Sequence, residues 1–161
     1  MKIPERILQK IRPPVAPFER RDFRLEVKEN EDLMIPSITI NSAKLPAIVK
    51  VLNHEKYEEN RKTKSLFGKY LWLIDEENGL RIIEENTPAP SERGIVCHTN
   101  ISGGKKALQG GELWFCDNGL VYLNYRSGRY GASTADDLQE KHQEGVVEYF
   151  EYLGFTVESV D

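Results

Sequence analysis

Hydrophobic residues recur along this chain at two spacings, and the switch between them predicts the elements. Near the start, Ile3, Ile7, Leu8 and Ile11 fall on one side of a short helix that Pro4 can open. Pro13, Pro14 and Pro17 then force an extended passage. Phe23, Leu25 and Val27 alternate with charged residues, as in a half-buried strand, and Ile38-Thr39-Ile40 suggests a second. Pro46 predicts a helix from about Leu45 to Tyr57, with Ile48, Val49, Val51 and Leu52 inward and a charged loop over Glu58 to Ser65. From there the pattern is one of hairpins. Tyr70 to Ile74 turns at Asn78-Gly79 into Leu80 to Ile83. After a Pro-rich loop over Thr87 to Ser91, Ile95-Val96-Cys97 re-enters the sheet and ends at His98. Glu112 to Cys116 and Leu120 to Tyr125 make a second hairpin across Asp117-Asn118-Gly119.

The last third returns to helical spacing. Ser133 or Thr134 is the expected N-cap, and Asp136 and Asp137 suit the positive end of the helix. Leu138, His142, Val146, Tyr149, Phe150 and Leu153 line one face, and Gly154 stops the helix. Phe155-Thr156-Val157 is then a short edge strand. These elements predict an α+β fold: a mainly antiparallel sheet built from hairpins, packed against a long C-terminal helix. At 161 residues the chain fits a single domain, 1–161, with residues 1–22 as a candidate N-terminal arm.

Composition narrows the class without naming a function. A hydrophobic share of 39% and a charged share of 30% describe an ordinary globular protein. No apolar run approaches the ~18–20 residues of a membrane span, and the N-terminus turns polar too early for a secretory signal, so a cytoplasmic location and no membrane partner are expected. Cys97 and Cys116 lack metal-ligand spacing and read as reduced, half-buried thiols, with a cross-strand disulfide as the alternative. The net charge of −4 conceals a basic first half and an acidic C-terminal stretch. Such asymmetry can steer a charged partner, or the two halves simply neutralise each other across the fold or solvate it. A nucleic-acid footprint would need a denser basic stripe with interleaved aromatics, so nucleic acid is not an expected partner. Three scattered histidines exclude a recognisable zinc pattern, and no cofactor motif is present.

Candidate chemistry gathers between Cys97 and Asp136. His98 ends a strand beside glycines, where an imidazole can act as a base, bind a ligand, or bond a loop carbonyl. Gly103-Gly104 and Gly110-Gly111 bracket Lys105-Lys106, whose ammonium groups with nearby backbone amides suit an anion. The glycines equally serve a loop between strands, and the spacing is not that of a P-loop. Glu112 opens a strand and can orient His98 or pair with Lys105, Arg126 or Arg129. Ser127 and Tyr130 flank Gly128, and Arg129 offers a donor fork for phosphate or carboxylate. A hydrolase triad is disfavoured because no Gly-x-Ser-x-Gly elbow occurs. His98, Thr99, Lys105, Glu112, Ser127, Arg129 and Tyr130 form the candidate binding set. No catalytic residue is assigned.

The order His98-Thr99-Asn100, Gly103-Gly104, Gly110-Gly111, Gly119, Ser127-Gly128-Arg129-Tyr130 resembles the C-terminal region of the plant IQ-motif calmodulin-binding proteins, and of related fungal and bacterial toxin-associated sequences. Their pattern runs His-Ser-Ser, Gly-Gly, Ala-Gly, Gly, then Ser-Gly-His-Tyr before a capped helix. The resemblance covers about residues 70–155. It departs at Arg129, where the family has histidine, and this removes the group best suited to move a proton near neutral pH. The IQ segment has no counterpart, so calmodulin is not carried over as a partner.

Three functions stand as expectations. The first is a small recognition module whose polar strand-end patch binds a protein partner or a small anionic ligand, in a bacterial or phage effector, immunity or defence setting. The second is an enzyme acting on a nucleotide or ADP-ribosyl group. The strand end at His98, the Gly-Glu strand and Ser127-x-x-Tyr130 resemble mono-ADP-ribosyltransferases, whose span from His to catalytic Glu is longer than the chain remaining after His98. The third is a structural domain whose glycines only serve turns.

Overall fold

The computed structural model describes residues 3–11, 13–17, 30–91, 94–127, 129–130 and 136–160. The strand expected at Phe23 to Val27, the cap at Ser133 or Thr134, the helix start at Ala135 and the side chain of Leu138 lie outside them.

The two hairpins form the centre of the sheet. β3 (Lys69–Asp75) turns antiparallel into β4 (Gly79–Glu84), and β5 (Gln109–Cys116) turns through a one-turn 3-10 segment, Asp117–Gly119, into β6 (Leu120–Leu123). β3 and β5 pair antiparallel, with Leu71 opposite Glu112 and Lys69 opposite Trp114. β1 (Ile38–Ile40) adds antiparallel to β4. Two pairings are parallel: β2 (Val51–Leu52) against the end of β5, and β7 (Thr156–Ser159) against β6. The path is β1-β4-β3-β5-β6-β7, with β2 beside β5 just beyond the start of β3, giving a mixed and mostly antiparallel sheet of seven strands. The fold is α+β.

Strand alternation separates the two faces. One face presents Tyr70, Trp72, Ile74, Leu80, Ile82, Leu113, Phe115 and Leu123 to α4 (Asp136–Leu153) and to α1 (Glu5–Leu8). Val146, Tyr149, Phe150 and Leu153 of α4 are buried there with Ile3, Ile7 and Ile11. Two close approaches require glycine. A Cβ on Gly145 would lie 2.7 Å from the Lys10 carbonyl carbon, where the end of α1 crosses α4. A Cβ on Gly111 would press into the Trp72 indole at 2.8 Å and collide with the Asn124 carbonyl oxygen. Trp72 fills that space and donates its indole N–H towards the carbonyls of Asn124 (3.1 Å) and Glu112 (3.2 Å).

The opposite face carries two smaller clusters. Leu71, Leu73 and Ile83 pack with Val96, Ile101, Ala107 and Tyr130 beneath α3 (Thr99–Ser102). Leu52, Trp114, Cys116 and Tyr122 pack with Tyr57 of α2 (His54–Thr63), whose ring stacks on Tyr122 at a centroid distance of 3.9 Å. Both faces of the second hairpin are therefore covered.

Two local expectations are corrected. The helix read over Leu45 to Tyr57 lies instead at α2, His54–Thr63, and most of the expected charged loop is helical. Asn53 starts it, its side chain accepting the Lys56 N–H at 2.7 Å, whereas Pro46 only holds a turn in which Val49 N–H bonds the Pro46 carbonyl. The helix was hidden because only Tyr57 and Asn60 of its ten residues are buried, too few to show a hydrophobic period. Ile95 to Cys97 makes one bridge to Pro88 rather than a sheet strand, and the chain after it turns into α3. The short edge strand expected after Gly154 is present as β7, shifted by one residue to start at Thr156, and it runs parallel to β6.

Candidate functional site

Most of the expected site residues gather around α3, where they hold the chain together. His98 is buried, and its Nε2 lies 2.8 Å from the Gly111 carbonyl oxygen. A carbonyl can only accept, so this nitrogen carries the proton. Burial holds the His98 pKa below the usual imidazole value, offset in part by that hydrogen bond and by the charge of Glu112. Thr99 donates to the Glu31 carbonyl at 3.1 Å. Asn100 donates to the carbonyls of Glu31 (3.1 Å) and Leu33 (2.8 Å), so two neighbouring side chains anchor the segment around residue 31.

Tyr130 is fully buried and closes the same region. Its hydroxyl donates to the Lys105 carbonyl at 2.6 Å and accepts from Ser102, 2.7 Å away. Burial raises its pKa. Ser127 Oγ accepts the Tyr130 N–H at 3.1 Å, and Arg129 Nη1 lies 3.7 Å from Asp32 Oδ1. Lys105 is exposed and lines a pocket of about 350 Å³ with Lys106, Arg81, Asp75 and Glu76. His98, Thr99, Ser127, Arg129 and Tyr130 thus make internal contacts, and Lys105 faces a pocket of mixed charge.

Glu112 stands apart from this group. It lines a cleft of about 410 Å³ between α2 and the sheet, with Asn60, Arg61, Lys64, Lys69, Trp114, Asn124 and Arg126 among the lining residues. Alternation on β5 sends Glu112 and Trp114 to this side. The end of α2 forms one wall. Lys64 takes the left-handed conformation at φ 57° to end the helix, and buried Asn60 donates to the Phe67 carbonyl at 3.1 Å, tying the return into β3. Arg61 donates to the Tyr57 hydroxyl at 2.7 Å and lies 5.1 Å from the Trp114 ring centroid. Trp114 Nε1 is buried with no hydrogen-bond partner among the described residues.

At the floor, Lys69 Nζ lies 3.1 Å from Glu112 Oε2 and 3.1 Å from Glu85 Oε2. The Glu85 contact is an ion pair without good hydrogen-bond alignment. The two carboxyl groups thus sit side by side on one ammonium. Burial first, and then the neighbouring Glu112 carboxylate, push the Glu85 pKa up to about 7. Glu112 feels burial too, but Glu85, Lys69 and Asn124 together hold its pKa below the ordinary value. The pair therefore holds on to a proton further towards neutral pH than an ordinary carboxyl would, on the Glu85 side.

Lys69, Glu85, Arg61, Lys64 and Asn124 escaped the sequence reading. Counting outward from the Asn78-Gly79 turn would have set Lys69 beside Glu85, since Asp75 pairs with Gly79 and Tyr70 with Glu84. The β3–β5 pairing and the place of α2 leave no such local signal. Neither thiol forms a disulfide: both cysteines are free, and burial raises the Cys116 pKa to about 11. Among the described residues no group of three or more His, Cys, Asp or Glu side chains is placed to hold a metal ion. No helix among them is long and apolar enough to cross a membrane.

No protein-family model matches the chain, and no curated protein or solved structure matches it either. The class that fold and site define is thus an α+β domain with a cationic cleft on the α2 face of its sheet.

Proposed function

We propose that the protein is a recognition module for a small anionic ligand, held in the cleft between α2 and the sheet. The observation that carries this reading is convergence. Arg61 and Lys64 from the end of α2, Lys69 from β3 and Arg126 from beyond β6 line one cleft, in which Glu112 is the only acidic residue among the described lining. Four cations from three separate parts of the fold, against Glu112 in the lining and Glu85 beside Lys69, give a surplus of positive charge in a net-negative protein. A concave site focuses such a field on an anion. Glu112 keeps its place from the sequence-derived patch. His98 stands behind it on the Gly111 carbonyl as a support.

Lys64 and Arg126 are exposed, so replacing them leaves no buried cavity. Calorimetric titration of inorganic sulfate into the wild type and into a Lys64→Ser/Arg126→Ser variant tests the reading. The wild type binds, and the double variant melts normally while losing affinity by roughly tenfold or more, as for two lost charge-assisted contacts. Equal binding by both proteins would reject the cleft.

A further inference from the structure

We infer that the cleft takes a doubly charged tetrahedral phosphoryl oxyanion together with a proton, which the Glu85–Glu112 carboxyl pair retains beneath it. This rests on the anion-binding reading above and adds the ligand class and the proton.

The class comes from the layout of the donors. The cationic groups stand on three walls: the last turn of α2, the floor at β3 and the segment after β6. A carboxylate offers two oxygens in one plane. A phosphoryl group offers three outward oxygens and a second charge, so it can meet three walls at once. A cleft of about 410 Å³ also leaves room for the organic remainder of a monoester. Free phosphate and a phosphate monoester share the chemistry that the walls would recognise.

The proton comes from the floor. One ammonium serves two carboxyl groups, all three largely buried, with side-chain exposures of 21% for Lys69, 15% for Glu85 and 12% for Glu112. Two adjacent carboxylates on one cation leave an uncompensated negative charge, and retaining a proton removes it. Among the described residues, the other charged or titratable groups around the pair are His98 behind Glu112, Arg61 and Lys64 on α2, and Arg126 on the rim. Buried His98 favours its neutral form, so it adds no positive charge. Asn124 donates to Glu112 Oε1 at 3.1 Å, which favours ionisation of Glu112 and leaves the proton on Glu85. An incoming dianion makes ionisation of Glu85 costlier still. Ligand and proton therefore bind with positive coupling, each tightening the other.

The test is calorimetry on the full chain at pH 7, in buffers of different ionisation enthalpy, with four probes. Inorganic sulfate is a dianion that does not itself titrate between pH 6 and 8. Phenyl phosphate and inorganic phosphate separate ester from free ion, and benzoate is the single-charge control. The expected result is sulfate binding with net proton uptake at pH 7, because burial and the neighbouring Glu112 carboxylate raise the Glu85 pKa and the incoming dianion raises it further. Affinity should fall by about tenfold between pH 6 and 8.5, a typical coupling. Glu85→Gln should bind with the affinity the wild type reaches at low pH, with no proton uptake and no pH slope. Glu112→Gln should also abolish the uptake. Phenyl phosphate binding more tightly than phosphate assigns an ester, and equal binding assigns the free ion. Sulfate binding without proton exchange, or benzoate matching phenyl phosphate, overturns this inference while leaving the anion-binding reading intact. If none of the four anions binds, both fall.

Discussion

Glu112 and Asn124 clasp each other through three hydrogen bonds: Glu112 N–H to Asn124 Oδ1 (3.0 Å), Asn124 Nδ2 to Glu112 Oε1 (3.1 Å), and Asn124 N–H to the Glu112 carbonyl (2.9 Å). Asn124 Oδ1 also accepts the Arg126 N–H at 3.0 Å. One buried amide therefore fixes both the acid of the cleft and the backbone carrying its rim cation. Asn124→Ala leaves the backbone donors of Glu112 and Arg126 without this acceptor and should cost about 1–3 kcal/mol. Chemical denaturation checks this, and a double-mutant cycle with Glu112→Gln should return a coupling of about 0.5–3 kcal/mol. Additive effects would show that the clasp carries no energy.

Packing of α4 on the sheet gives a second prediction. Phe150 is fully buried, edge-on to Trp72 at 5.8 Å between centroids and tilted against Phe155 at 6.1 Å. Phe150→Ala should lower stability by about 3–5 kcal/mol. A wild-type denaturation midpoint would contradict the packing direction.

Gly111 should tolerate no side chain. A Cβ there meets both the Trp72 ring and the Asn124 carbonyl, so the β5–β6 ladder or the indole must shift. Gly111→Ala should cost at least the ~1–3 kcal/mol usual for overpacking. It should also perturb the cleft, because Asn124 is the group displaced. Loss of near-UV circular dichroism would report the movement of Trp72, and an unchanged spectrum and stability would refute the close approach.

Two buried groups should give stability slopes of opposite sign. Glu85 has a folded pKa of about 7, above the ordinary 4.5, so the folded state holds its proton more tightly. Its contribution is intact at low pH and is lost as pH rises from about 4.5 to about 7. His98 has a folded pKa below the ordinary 6.5, so its contribution is present above that value and lost as pH falls through it. Relative to wild type, Glu85→Gln should gain stability as pH rises to 8, and His98→Gln should gain as pH falls to 5. Urea midpoints between pH 5 and 8 measure both. The same sign of slope for the two would contradict the assigned burial.

The sheet and α4 were legible because Asp117-Asn118-Gly119 and Asn78-Gly79 announce their turns, and Leu113, Phe115, Val146 and Phe150 keep a clear period. α2 was not, since it buries only Tyr57 and Asn60 and is held to the sheet by Tyr57 on Tyr122 and Arg61 over Trp114. The polar residues from His98 to Tyr130 stood out as unusual at strand ends. They are unusual because polar side chains in and beside a short buried helix satisfy loop carbonyls at Glu31, Leu33 and Lys105 and the β5 carbonyl of Gly111. The cleft depends on β3, β5 and α2 meeting, and no local sequence window holds all three.

The central claim is that an anion binds beside Lys69 and Trp114. Two-dimensional proton–nitrogen NMR during a sulfate titration tests it most directly, because the Trp114 indole N–H, the Asn124 side-chain amide and the Arg126 backbone N–H report from within the cleft. Anion binding in the cleft should give saturable shifts of those three signals, with the Trp72 indole and the amides of Thr99 to Gly103 left in place. Shifts confined to Lys105, Lys106 and Arg81, or no saturable shift at all, would contradict it.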